Sequence, residues 1–299
     1  MTSEVANALE ALGSQEIKGR SLWDDALYRL LKNKAAMTSI IILLVLMLMV
    51  LFAPLLSPYA FDAVDWDLIS SPPNLSNGHI FGTDSNGRDL FVRTLYGGRM
   101  SLMVGILATA VSLVIGISYG AIAGYVGGRT DAIMMRIVDI LYAMPFMFFV
   151  ILLMVFFGRN IFLIFIAIGA INWLDMARIV RGQTLSLKRK EFVEAAVANG
   201  VGTGRIIFRH IVPNLLGIVV VYITLTIPQV ILVESFLSFL GLGVQEPNTS
   251  WGALVNLGAQ NLESAPWMLL FPGVFLATTL FCFNFIGDGL RDALDPKDR

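Results

Sequence analysis

Few residues of this sequence stand where they could perform chemistry. The two histidines, His79 and His210, are far apart and neither has a serine-nucleophile or metal-ligand setting around it. Cys282, the sole cysteine, lies inside an apolar run; one thiol makes neither a disulfide framework nor a zinc site, so it reads as a small apolar filler. No lysine is followed by Ser or Thr, so the Gly-x-x-x-x-Gly-Lys-Ser/Thr loop that cradles nucleotide phosphates is absent. The run Phe81-Gly82-Thr83-Asp84-Ser85-Asn86-Gly87-Arg88-Asp89 resembles a calcium loop only superficially, lacking the alternating acidic ligands and the closing glutamate; Asx and glycine turns explain it better. The sequence therefore predicts no catalytic residue, no metal site and no cofactor held by this chain. Two carboxylates still need an account, because each adjoins an apolar stretch where an ionised group requires a partner or water. Asp139 lies three residues from Arg136 on one helical face, which predicts a local ion pair near the inner end of a span. Glu234 follows an apolar body near the outer face. It either lines a water-filled cavity or caps the adjoining segment 235–243, and both carboxylates are candidates for a translocation pathway.

The elements that must position these groups are membrane helices. Of 299 residues 56% are apolar and 14% charged, against about a quarter charged in a soluble domain, which rules against a water-soluble globule. The net charge of -1 supplies no basic field for nucleic acid. Crossing a hydrocarbon core of about 30 Å takes roughly 20 helical residues. Six stretches approach that length: 35–61 with a span ending near Leu56, 100–128, 140–158 continuing a helix from near Ala132, 160–174, 211–233 and 264–287. The fourth has only 15 uncharged residues and spans only if it runs on toward Arg178. Pro213 and Pro266 place the last two helix starts a little inside their limits, while Pro145 and Pro228 predict kinks. Residues 1–34 are polar and carry no signal peptide; Ser21 and Asp24 fit a capping box opening an amphipathic helix through Trp23, Leu27, Leu30 and Leu31, with Arg29, Lys32 and Lys34 on its other sides, lying on the membrane face. With both termini inside, 17 of the 21 basic residues fall on the cytoplasmic side, which predicts that orientation.

Two further patterns concern packing and docking. Ala108, Ser112, Gly116, Gly120, Gly124 and Gly128 recur every four residues, giving a strip of small side chains on which another backbone can approach closely. Between the fourth and fifth spans, 181–213 is too polar to cross a membrane and too long for a turn. Residues 188–198 and 205–210 read as two short helices joined at Gly200, Gly202 and Gly204, a knob that a partner could grip to pull two spans together.

Glu194-Ala195-Ala196, Gly200 and Pro213 together resemble the coupling-loop signature of ATP-binding-cassette importer permeases, with the mild departure of His210-Ile211-Val212-Pro213 where the family has Ile-x-Leu-Pro. The runs 81–89, 173–181, 237–243 and 287–292 resemble the peptide-importer branch, and 173–196 with the closing 295–299 is most similar to the C-type permease subunits of oligopeptide importers; dipeptide and nickel importers share much of the pattern. The resemblance implies an all-α polytopic fold of six transmembrane helices in a bacterial inner membrane, divided into a cytoplasmic segment 1–34, a permease domain 35–286 with outer loop 57–99 and coupling loop 182–213, and a tail 287–299. It implies a homologous second permease, two cytoplasmic ATPases that bind Mg-ATP, an external peptide-binding protein and transported peptides as partners. The competing expectation is a secondary transporter or channel driven by an ion gradient, which would need coupling-ion residues in its spans and commonly an internal repeat.

Overall fold

The computed structural model describes residues 22–157 and 161–294. Ser21 of the expected capping box, Arg159 and the closing 295–299 lie outside the described residues. Among those described, the chain is helical, with two isolated β-bridges, Asn74 with His79 and Thr83 with Asp89, in the outer loop.

Helix α1, Leu22–Lys32, is the expected amphipathic helix. It buries Ala26 and leaves Leu27 and Leu31 uncovered, with Arg29 bridged to Asp25 at 3.2 Å. Asn33 ends it and starts α2, Lys34–Leu51, by accepting the Ala36 N–H at 3.2 Å. A short turn α3, Ala53–Leu56, follows. Helix α4, Leu90–Val126, begins ten residues earlier than the apolar run because Asp89 caps it, accepting the Val92 N–H at 2.8 Å. Arg93 and Arg99 thus belong to its first turns rather than to a loop.

The third expected span is two helices. Helix α5, Gly128–Ala143, stops at Met144, which is extended (φ -75, ψ 131), and α6, Phe146–Phe157, starts after Pro145. Proline disfavours the helical conformation of its predecessor, so the anticipated kink is a full break. Helix α7, Ile161–Leu187, runs on through Asp175 and Arg178, as the fourth span requires.

After α8, Glu191–Ala198, the second short helix of the knob is not separate from the fifth span. Helix α9, Thr203–Ile206, passes through one π-turn, Ile207–Ile211, straight into α10, Val212–Phe239. The wide turn precedes Pro213, which lacks the N–H of a regular ladder, and beside it the Asn214 side chain donates to the His210 carbonyl at 2.6 Å. Helix α10 continues through Pro228 without ending. Helix α11, Trp251–Gln260, and α12, Trp267–Leu294, complete the chain, α12 starting directly after Pro266 as expected.

Four of these segments, Lys34–Leu51, Leu90–Val126, Thr203–Phe239 and Trp267–Leu294, are single helices long and apolar enough to cross a membrane. Helices α5, α6 and α7 lie in sequence between the second and third of them. The uncovered Ile41, Leu44, Val45, Leu48 and Leu51 of α2 suit lipid rather than water.

Candidate functional site

The knob is built from α8, the turn after it and the start of the fifth span. Val193 and Ala196 are buried against Ile206, Ile207, Ile211 and Leu215, and against Met176 and Val180 of α7. Helix α8 ends in a Schellman turn: the Gly200 N–H donates to the Val197 carbonyl at 2.9 Å, and the Val201 N–H to the Ala196 carbonyl at 3.1 Å. Gly200 takes φ +73, and a Cβ there would meet nothing within 4 Å. Its role within this chain is therefore the left-handed bend, not a close approach. Glu194 and Ala195 point outward, beside uncovered Phe192 and Val197. Ala196 does not. The coupling-loop signature includes both alanines, but Ala196 is 7% exposed and belongs to the knob's own core. Pro213 is exposed in the first turn of α10 and shapes the helix rather than the docking face.

The strip of small residues on α4 meets α7. A Cβ at Gly116 would lie 2.6 Å from Met176 Cβ, one at Gly120 2.9 Å from Val180 Cβ, and one at Gly124 2.8 Å from the Arg181 carbonyl oxygen. Farther out, the Ser112 hydroxyl donates to the Gly169 carbonyl at 3.1 Å. The strip ends at Gly124: Gly128 lies beyond the helix end at Gly127, with open space around it. This seam joins the span before the knob rigidly to α4.

Asp139 pairs with Arg178 of α7 at 2.8 Å, and not with Arg136. The guanidinium also lies 4.4 Å from the centre of the Tyr142 ring. Eight residues earlier, Asp131 takes two 2.6 Å hydrogen bonds from Arg181, which hold its carboxyl below the ordinary range despite burial. Arg181 holds Asp131 at two points and Arg178 holds Asp139 at one, so α5 is clamped to α7 at two levels. Both partners in the Asp139 pair are exposed, so it contributes at most about 1 kcal/mol.

Glu234 lines no cavity. It is fully buried, its carboxylate accepting the Ser101 hydroxyl of α4 at 3.1 Å and the Ser238 hydroxyl at 2.7 Å. Ser101 in turn accepts the Trp251 N–H at 3.1 Å, and Ser250 caps α11 by accepting the Ala253 N–H at 3.2 Å. The carboxylate thus ties α4, α10 and the start of α11 together. Removing it strands buried hydroxyls and leaves a void. Glu234→Ala is expected to destabilise the protein by about 2–4 kcal/mol, read as a lowered midpoint of thermal unfolding in detergent, while Glu234→Gln loses less. An unchanged midpoint for Glu234→Ala would remove the structural role.

A cluster that sequence reasoning passed over holds the outer loop to the 240–250 turn. Asp84, fully buried, accepts the Arg88 Nε at 2.8 Å, and Arg88 reaches Glu246 at 2.8 Å. The bond from Arg88 holds the Glu246 carboxyl below its ordinary range; burial alone would lower Arg88, but Glu246 and Asp84 outweigh it and leave it raised. His79 donates its Nδ1–H to Asp89 Oδ2, 2.8 Å away, and stacks on Tyr59, so it is a structural histidine. The Asx turn at Asp84, where the Asn86 N–H bonds Oδ1 at 2.8 Å, is the reading given to run 81–89. The only sequence signal for the Arg88–Glu246 link was the acidic–basic spacing at 84 and 88; its partner lies 158 residues away.

Comparison with known proteins agrees with this architecture. The family described as the binding-protein-dependent transport system inner membrane component matches residues 116–299, and the N-terminal TM domain of oligopeptide transport permease C matches 21–73. The chain is 63% identical over 284 residues to the oligopeptide transport system permease protein OppC of Escherichia coli, covering 95% of this chain and 94% of that one. It is 59% identical over 296 residues to the OppC protein of Haemophilus influenzae, covering 99% and 94%. To the dipeptide transport system permease protein DppC of Bacillus subtilis it is 48% identical over 280 residues, covering 93% and 87%. A helical bundle with several membrane-spanning helices, a two-helix knob between two of them and these relatives lead to one conclusion: the chain belongs to the inner-membrane permease components of binding-protein-dependent, ATP-binding-cassette import systems.

Proposed function

We propose that this chain forms half of the translocation pathway of an ATP-driven oligopeptide importer. A homologous permease supplies the other half, two cytoplasmic ATPases bind Mg-ATP, and an external binding protein delivers the peptide. The single observation that carries the reading is the outward face of α8: Glu194 and Ala195 beside uncovered Phe192 and Val197, on a helix whose other face is cemented to α7 and α10. A partner that moves this face moves both spans, because the Schellman turn and the core beneath it leave no slack. ATPase closure would thereby be converted into rotation of the pathway from inward-facing to outward-facing, and hydrolysis would reset it. The relatives named for oligopeptide transport support the substrate class.

The orientation proposed has both termini and the knob in the cytoplasm. Reconstitution of the chain with its partners in vesicles should give ATP-dependent uptake of labelled oligopeptides, with no uptake on an ion gradient alone. A cysteine at Asn77 should react with an impermeant thiol reagent from outside in cells, and one at Gly202 should not. Uptake that follows a proton or sodium gradient, or the reverse labelling, overturns the reading.

A further inference from the structure

A cavity of about 280 Å³ opens where α5 breaks from α6. Its polar lining comes from Asp175 and Asn172 of α7 and Tyr142 of α5, and its apolar wall from Leu141, Met144 and Phe149. Three observations make it unlike a packing fault. First, Asp175, half-buried where the apolar run of α7 ends and a turn before Arg178, accepts no hydrogen bond and forms no ion pair among the described residues. The nearest cations are engaged elsewhere, Arg178 with Asp139 and Arg181 with Asp131. Second, the cavity lies against a helix break at Met144, and irregular backbone at such a place persists only where it faces protein or water. Third, Tyr142 of α5 and Asp175 of α7 line the same cavity, and Tyr222 of α10 lies within electrostatic reach of both, so elements on both sides of the knob meet near it. A carboxylate without a partner in an apolar setting needs water or a cation.

We propose that this cavity is a transit site for the ammonium group of a peptide, Asp175 being the specificity-determining contact. The carboxylate takes the charge, the Tyr142 hydroxyl and Asn172 amide offer further hydrogen bonds, and the apolar wall receives the adjoining side chain. The volume is close to the lower bound of small-ligand pockets, about 300 Å³, which suits the end of a peptide rather than its whole length. An N-terminal ammonium and a lysyl ammonium share the required chemistry. The inference rests on the peptide-import reading above.

The test uses the full complex in vesicles with its binding protein, and labelled tri-alanine, N-acetyl-tri-alanine and N-acetyl-Ala-Lys-Ala as probes. Asp175→Asn, which keeps shape and removes charge, should lower tri-alanine uptake about tenfold, the loss of one charge-assisted contact, and Asp175→Glu should restore most of it. For N-acetyl-tri-alanine, which brings no ammonium, the same substitution should make no further difference. A matching loss for N-acetyl-Ala-Lys-Ala extends the site to lysyl groups; no loss confines it to the peptide N-terminus. Unchanged tri-alanine uptake by Asp175→Asn, an equal fractional loss for the blocked peptide, or dissociation of the complex in Asp175→Asn with recovery in Asp175→Glu, the mark of a contact between subunits, overturns the proposal. Absence of any peptide uptake by the unsubstituted complex would instead overturn the import reading itself.

Discussion

Ala195→Trp is expected to abolish peptide uptake while leaving the membrane bundle folded, whereas Ala196→Trp, one residue along, is expected to disrupt the knob itself. The two alanines differ by one step of 100° around α8, which carries Ala195 to the solvent side and Ala196 into the cluster of Ile206, Ile207 and Ile211. An indole on the outer face blocks whatever groove closes over α8; loss of a central docking residue commonly removes 2 kcal/mol or more, about thirtyfold in occupancy. The variant should insert, resist proteolysis like the parent, and bind its ATPases weakly or leave their hydrolysis uncoupled from uptake. Ala196→Trp instead overfills a closed core, at about 1–3 kcal/mol or more, and should expose the loop 188–213 to protease. Equal protease resistance of the two variants with equal uptake would show that α8 is not the docking element and that its phase is unimportant.

Gly120→Leu is expected to be the most damaging single change in the membrane. A Cβ at Gly120 would already stand 2.9 Å from Val180 Cβ and 3.0 Å from the Arg181 nitrogen, so neither backbone can accommodate a branched side chain without the α4–α7 seam opening. Packing within a bilayer has little hydrophobic driving force to restore it, since lipid is as apolar as the helix faces. The steady-state amount of assembled protein should fall about tenfold or more, and the remainder should unfold at lower temperature. Gly182→Leu, on α7 with nothing within 4 Å of its would-be Cβ, is the control and should accumulate normally. Normal accumulation of Gly120→Leu would mean that the seam is not closed in the assembled protein.

What could be read along the chain was what depends on neighbours along the chain. The helix start after Pro266, the continuation of α7 beyond Asp175 and the four-residue rhythm of small side chains on α4 follow from local chemistry and spacing. Pro145 and Pro228 show where that reasoning stops. The same residue type ends one helix and passes through another: Met144 before Pro145 is extended, whereas Pro228 lies buried within a continuous helix. Arg136 is the nearest cation to Asp139 in sequence, yet Arg178 wins, 39 residues away, since an α7 packed alongside α5 brings its guanidinium face to face with the carboxylate.

By itself the sequence determined that this is a polytopic helical membrane protein without its own nucleotide site, that small residues on the second span form a seam, and that the stretch from Glu194 to Pro213 carries the docking signature. The membrane character and the seam are set by composition and period, which need no partner to be visible, whereas the docking signature is a resemblance to a family's coupling loop. Only the tertiary structure decided which helix the seam receives, which alanine of α8 faces outward, that Glu234 is a buried tie, and that Asp175, beside the broken helix, has no hydrogen-bond or ion-pair partner among the described residues. Each of those depends on the rotation of a helix about its axis and on what lies across from it. A periodic pattern leaves that rotation open until the chain's distant halves are packed together.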